Sequence, residues 1–167
     1  RLAEDIGGID LTSARDDVAR LSPVAGLSAV QGPGVVVTLR DAEKRLDDVD
    51  PDFLVIHQQD VQAVVNALWR GGAEAIMIMD QRLIASSAVK CVGNTLLLQG
   101  KLYSPPYRIQ AIGNAKRLQQ ALDTEAGVQL LKDLARVYGI GYDVTTSPLI
   151  RMPEFTGPIS VPNAETF

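Results

Sequence analysis

The stretch VIHQQDVQAVVNALWRGGAEAIMIMD, Val55 to Asp80, constrains the fold more than any other part of this chain. Val61, Val64, Val65, Leu68 and Trp69 recur at i, i+3, i+4, i+7 and i+8, which sets all five on one face of a helix. Asp60 in the first turn and Arg70 in the last both suit the helix dipole. Gly71-Gly72 predicts the stop, because glycine enters the left-handed cap without steric cost. Ala73–Met79 then reads as a strand, with Ile76 and Ile78 on one face and Ala75, Met77 and Met79 on the other. Two apolar faces indicate a central strand covered on both sides. A helix returning to a covered strand is half of an α/β core.

The flanking segments extend that unit. Val35–Leu39 is a β-branched run that predicts a strand, entered through a turn at Gly32-Pro33-Gly34. A dinucleotide loop needs its glycines after a strand and opening a helix, whereas these precede a strand, so the turn is preferred. Asp41–Phe53 is a polar insertion with Asp47, Asp48, Asp50 and Asp52 close together. It lacks the central glycine and terminal glutamate of a calcium-binding EF-hand loop and reads as a solvated acidic loop. After Asp80, Gln81-Arg82 predicts a turn into Leu83–Ala85, and Gly93-Asn94 a hairpin joining Val89–Val92 to Thr95–Gln99. Gly100, Ser104, Pro105 and Pro106 break the chain before a strand at Tyr107–Ile112.

Asn114 can cap a helix through Leu122, and Thr124 a second with Val128, Leu131, Leu134, Ala135 and Tyr138 as its apolar face. Gly139 stops that helix before a strand at Tyr142–Thr146. Pro148, Pro153, Pro158 and Pro162 make the remainder a loop-rich tail, with Leu149–Met152 as a short extension. Strand, helix, strand, hairpin strands, helices and strand in that order predict an α+β fold, a ferredoxin-like split βαβ sandwich with extra hairpin strands. Helices would cover one sheet face. The other would need the N-terminal segment, the tail or a second subunit. The expected division is an N-terminal helix and linker over 1–26, an α/β domain over 27–153 and a Pro-rich tail over 154–167.

Leu11, Ala14, Val18 and Leu21 follow the spacing of a coiled-coil seam, with Arg15, Asp16, Asp17 and Arg20 on the remaining face. The run is short enough to be either the end of a coiled coil or an amphipathic helix lying on the domain. Gly7-Gly8 argues against extending it far upstream. A net charge of −4 and a pI near 4.9 leave no basic stripe for nucleic acid or for an anionic membrane surface. No run approaches the about 18 apolar residues of a spanning helix. The chain begins with Arg1 rather than methionine, so an upstream segment is expected.

The chemistry is mostly a matter of absences. One histidine and one cysteine are too few for a zinc site, and no serine sits in a nucleophile elbow. His57 reads as a boundary or capping residue rather than a base. Cys91, in an apolar run, is expected to be buried and inert. Trp69, Met77 and Met79 are expected in the core. Asn66, polar in mid-helix, is expected to bond across to a neighbouring loop. A hydrolase built on His57, Glu74, Asp80 and Arg82 would lack a legible nucleophile–base pair. No catalytic, cofactor-binding or metal-binding residue is assigned. His57, Asp60, Asn66, Asp80 and Arg82 remain as the polar residues that could face a partner or ligand.

IHQQDVQAVVNALWRGGAEAIMIMDQRL, followed by CVGNTLLLQG and SPPYRIQAIGN and preceded by GPGVVVTLRDA, resembles the DUF881 (UPF0749) domain of Gram-positive bacteria, with the mycobacterial branch most similar. The resemblance runs from about Ala25 to Pro153. It implies a short cytoplasmic start, one membrane-spanning helix, a coiled coil ending at Leu11–Leu21, and this domain outside the membrane, encoded near cell-division genes. It implies no enzymatic activity and no cofactor. Gln58-Gln59 replaces residues that tend to be acidic in relatives, and Asp80 stands where an Asn commonly closes the central strand, which puts an ion-dependent role at that end in doubt. The expectation is a non-catalytic, membrane-anchored interaction domain in division or envelope assembly. It would meet protein partners at the cell envelope or form a homodimer through the coiled coil or an exposed sheet face. The alternative is a small-molecule-sensing regulatory domain.

Overall fold

The computed structural model describes residues 11–43, 48–159 and 163. Gly7-Gly8, Asp47 of the acidic insertion and Pro162 of the tail lie outside the described residues. The elements in chain order are α1 (Leu11–Ala25), β1 (Val30–Arg40), α2 (Gln58–Arg70), β2 (Ala75–Ile78), β3 (Gln81–Arg82), β4 (Val89–Val92), β5 (Thr95–Leu98), β6 (Lys101–Tyr103), β7 (Tyr107–Ile112), α3 (Ala115–Thr124), α4 (Ala126–Tyr138) and β8 (Gly141–Met152). A 3-10 turn at Pro51–Leu54 precedes α2.

One five-stranded sheet runs β3-β2-β7-β1-β8, and every neighbouring pair in it is antiparallel. A separate three-stranded meander, β4-β5-β6, grows out between β3 and β7. The fold is therefore α+β with antiparallel sheets.

The helix and strand predicted for Val55–Asp80 form largely as expected. Val61, Val64, Val65 and Leu68 are buried, and Gly72 takes the left-handed position just past the helix. Asp41 accepts a hydrogen bond from the Ile56 backbone at 2.9 Å, so the near end of the acidic insertion anchors the entry to α2. Helices α2, α3 and α4 cover one sheet face, where Val35, Val37, Leu39, Ile76, Ile78 and Ile109 meet Leu68, Leu118 and Leu131. The opposite face is not bare. Val36, Ala75, Met77, Ile112, Ile150 and Met152 are buried there as a second cluster, which removes the exposed apolar sheet face from the expected dimer surfaces.

Several expected boundaries move. Gly32-Pro33-Gly34 is no turn: β1 runs straight through it with a bulge against β8 between Gly32 and Gly34. The glycine is needed for closeness, because a Cβ on Gly34 would stand 1.8 Å from the Ala111 carbonyl oxygen of β7. Across that bulge, Tyr142–Thr146 and Leu149–Met152 join into the single 12-residue strand β8, which carries Pro148 on the sheet edge where a missing donor is tolerated. Strand β2 stops at Ile78. Met79, at a φ of 56°, and Asp80 make the turn, so Gln81-Arg82 is a buried strand rather than a turn. Positive φ angles at Gln99 and Gly100 fold the chain back so that β6, a strand not expected from the sequence, pairs with β5. Helix α4 is capped by Glu125, not Thr124, whose hydroxyl donates within α3 to Gln120 and Ala121.

Helix α1 projects from this body. Residues 12–20 are exposed throughout, including Val18 at 66%, so α1 is not an amphipathic helix lying on the domain. Among the described residues, no helix is long and apolar enough to cross a membrane.

Two substitutions test the packing. Leu68→Ala, at a fully buried site, should lower unfolding free energy by about 3 kcal/mol in urea titrations. Gly34→Ala should be worse, because the clash is with backbone and one strand must shift. An unchanged melting temperature for Gly34→Ala would contradict the β1–β7 register.

Candidate functional site

Helix α2 has two working faces. Val61, Val64 and Leu68 enter the core, while Gln62, Val65, Asn66 and Trp69, at i, i+3, i+4 and i+7, line the side of a cleft. The facing wall is the chain from Arg82 through Ile84 to Val89, with Val24 of α1 and Glu74 closing the rim. The cleft measures about 800 Å3. A neighbouring cavity of about 470 Å3 shares Val24, Trp69 and Glu74 and reaches Ala75 and Ile112 on the second sheet face. Trp69 stands between the two, 41% exposed, and is not the core residue expected from its spacing. It sits in the last turn of α2, where the helix leaves the sheet.

Arg82 is the buried charge of this region. Arg82 pairs with Met77 of β2 and is buried, and its guanidinium donates to the carbonyls of Pro23 at 3.2 Å, Pro153 at 3.3 Å and Ser28 at 3.5 Å. One side chain thereby ties the exit of α1 to the segment after β8. The Phe155 amide reinforces the tie by donating to the Gly26 carbonyl at 2.8 Å. Burial pushes the guanidinium pKa down, and Arg82 forms no ion pair among the described residues.

The other sequence candidates separate. Asn66 is exposed in the cleft wall rather than bonded across to a loop. His57 caps α2, its backbone amide donating to the Asp60 carboxylate at 2.8 Å and its Nδ1 lying 3.8 Å from it. Burial raises the Asp60 pKa, partly offset by that amide and by His57. Asp80 lies on the β2–β3 turn, where it accepts from the Tyr103 hydroxyl, from Gln81 at 3.0 Å and from Lys101 at 3.1 Å. These donors, Tyr103 foremost, hold its carboxyl well below the usual carboxylate range. The Asp80 cluster pins the β4–β5–β6 meander to the main sheet.

Of the four residues weighed for hydrolysis, only Glu74 and Arg82 share a cavity. Cys91 is exposed, contrary to expectation, because only Val89 of β4 turns inward; its Sγ accepts from the Gln58 amide at 3.1 Å. Among the described residues, no three His, Cys, Asp or Glu side chains converge on a metal-sized site.

The molecule is thus a helix-and-antiparallel-sheet domain with a projecting N-terminal helix and a cleft beside it. The chain belongs to the DUF881 family, described as bacterial protein of unknown function, whose model matches residues 17–165. The UPF0749 protein Rv1823 of Mycobacterium tuberculosis is 36% identical over 159 residues, covering 91% of this chain and 51% of the relative. UPF0749 protein YlxW of Bacillus subtilis is 31% identical over 113 residues, covering 68% of this chain and 49% of the relative. The chain therefore spans about half the length of the curated relatives it matches. A crystal structure of an uncharacterized conserved protein from Mycobacterium tuberculosis superposes with a TM-score of 0.68 at 27% identity, covering 90% of this chain and 99% of that one.

The depressed Asp80 pKa sets a pH test. A carboxyl whose folded pKa lies below its unfolded value stabilises above about pH 4 and loses that contribution as pH falls through the folded value. Asp80→Asn should therefore be less stable than the parent at pH 7, with the difference shrinking below about pH 4. Urea midpoints measured across that range check it; a gap independent of pH would contradict the Tyr103–Asp80 contact.

Proposed function

We propose that this chain is a non-catalytic interaction domain that pairs with a second copy through α1, which continues an upstream coiled coil. The observation that carries this reading is the exposure of α1. A helix of 15 residues is marginal in water on its own, yet Val18 and Leu21 of the α1 seam are 66% and 53% exposed. A seam spaced for a coiled coil and left open in the single chain calls for a matching helix. The unmatched half of the relatives' length leaves room for more of that coil and for a membrane anchor ahead of it. The domain would then stand outside the membrane as an assembly point for protein partners in the envelope or the division machinery. We also infer a ferredoxin-like split βαβ core. The strand order β2-β7-β1-β8, with α2 joining β1 to β2 and the α3–α4 pair joining β7 to β8, supports that assignment, with β3 and the meander as additions.

Light scattering after size exclusion tests the pairing on the full-length, anchored protein in detergent and on this chain. The full-length protein should run as a dimer. Val18→Glu with Leu21→Glu should return it to a monomer without lowering the domain's melting temperature. A strict monomer before mutation would overturn the pairing. Co-purification from membranes tests the wider role: a recurring envelope protein should be lost when residues 27–153 are deleted.

A further inference from the structure

The cleft beside α1 contains an electrostatic imbalance. Arg82 is only 3% exposed and forms part of the cleft wall, but the contacts that hold it are long. N–H···O bonds centre near about 2.9–3.0 Å and fade beyond 3.2 Å. All three Arg82 carbonyl contacts lie between 3.2 and 3.5 Å, and its buried Nε has no acceptor among the described residues. A buried cation held by stretched neutral acceptors retains most of its demand for a negative charge. The rest of the cleft is built for something larger than an ion. Trp69, Val24 and Ile84 offer apolar surface, Asn66 an amide, and the volume of about 800 Å3 falls in the range of small-molecule sites.

We propose that this cleft binds a small soluble amphiphile, an oxyanion headgroup joined to a compact apolar tail. The guanidinium rotates away from Pro23 and Ser28, exchanging long carbonyl contacts for a short charge-assisted pair with the headgroup. The rotation is required because Nε is sealed from solvent while the carbonyl contacts are made. The tail lies along Trp69 and Ile84 under Val24. Glu74 at the rim keeps the anion at the Arg82 end. The site is complete within one chain and needs no paired α1.

The test uses the chain's only tryptophan, Trp69, as its own reporter. Emission is followed on adding hexyl phosphate, hexanoate, inorganic phosphate or hexylamine. A saturable change with hexyl phosphate or hexanoate is expected, their relative affinity separating phosphate from carboxylate headgroups. Inorganic phosphate and hexylamine should bind at least tenfold more weakly. Arg82→Met keeps the side-chain volume, removes the charge and should weaken the better anion at least tenfold. Val24→Glu places a negative charge at the mouth on a position already in solvent and should do the same without changing the melting temperature; it decides the matter if Arg82→Met does not fold. Glu74→Gln should tighten binding a few-fold. No saturable change with either alkyl anion, equal binding of hexylamine, or undiminished binding in Val24→Glu would overturn the proposal.

Discussion

The pairing of β1 on both its edges is the constraint on which the rest of the molecule depends. It bonds to β7 from Gly34 to Leu39 and to β8 from Val30 to Arg40, and it contributes buried side chains to both clusters. Val35, Val37 and Leu39 meet the helices, while Val36 faces the second cluster. Backbone approach at Gly34 sets how closely β7 can lie, and β7 in turn carries β2, which ends the sheet with β3. Helix α2 is located by the same pairing, since its core face packs on the side chains that β1, β2 and β7 present.

That framework was legible in the sequence wherever one physical signal dominated. The 3.6-residue spacing of Val61, Val64 and Leu68 and the doubly apolar run at Ala75–Ile78 each had a single reading. Legibility failed where two signals competed. Gly32-Pro33-Gly34 carries strong turn chemistry, but pairing on both sides of β1 overrode it and turned the same residues into a bulge. Met79 belongs by composition to the strand before it, yet its backbone makes the turn, which puts Gln81 and Arg82 in a buried strand where a turn was expected. Cys91 sits among apolar neighbours, but β4 buries only Val89.

The candidate site was less legible than the fold because it depends on distant backbone. Asn66 and Arg82 were both singled out, but nothing in their positions says that they share a cleft. Trp69 was assigned to the core by a spacing it does satisfy; its exposure follows from where α2 ends relative to the sheet. The inward turn of Arg82 could have been read from a shorter β2, since an apolar Leu83-Ile84 directly after a charged residue favours a covered strand over a turn. Its acceptors, at Pro23, Ser28 and Pro153, are 59, 54 and 71 positions away and leave no local trace.

The Arg82 tie has a mechanical meaning. The chain enters the sheet from α1 and leaves it after β8 at the same end, and the guanidinium, with the Gly26–Phe155 bond, joins the two leads. Tension or torque arriving along α1 meets this clasp before it can load the hydrogen bonds of β1. Because Val30 pairs with Met152 at that shared end, load that passed the clasp would peel the β1–β8 ladder from there one bond at a time, so the clasp protects the end at which the ladder is weakest. The outer helix can thus swing or twist while the sheet keeps its register, and the compliance of the joint resides in a few long polar contacts around one side chain.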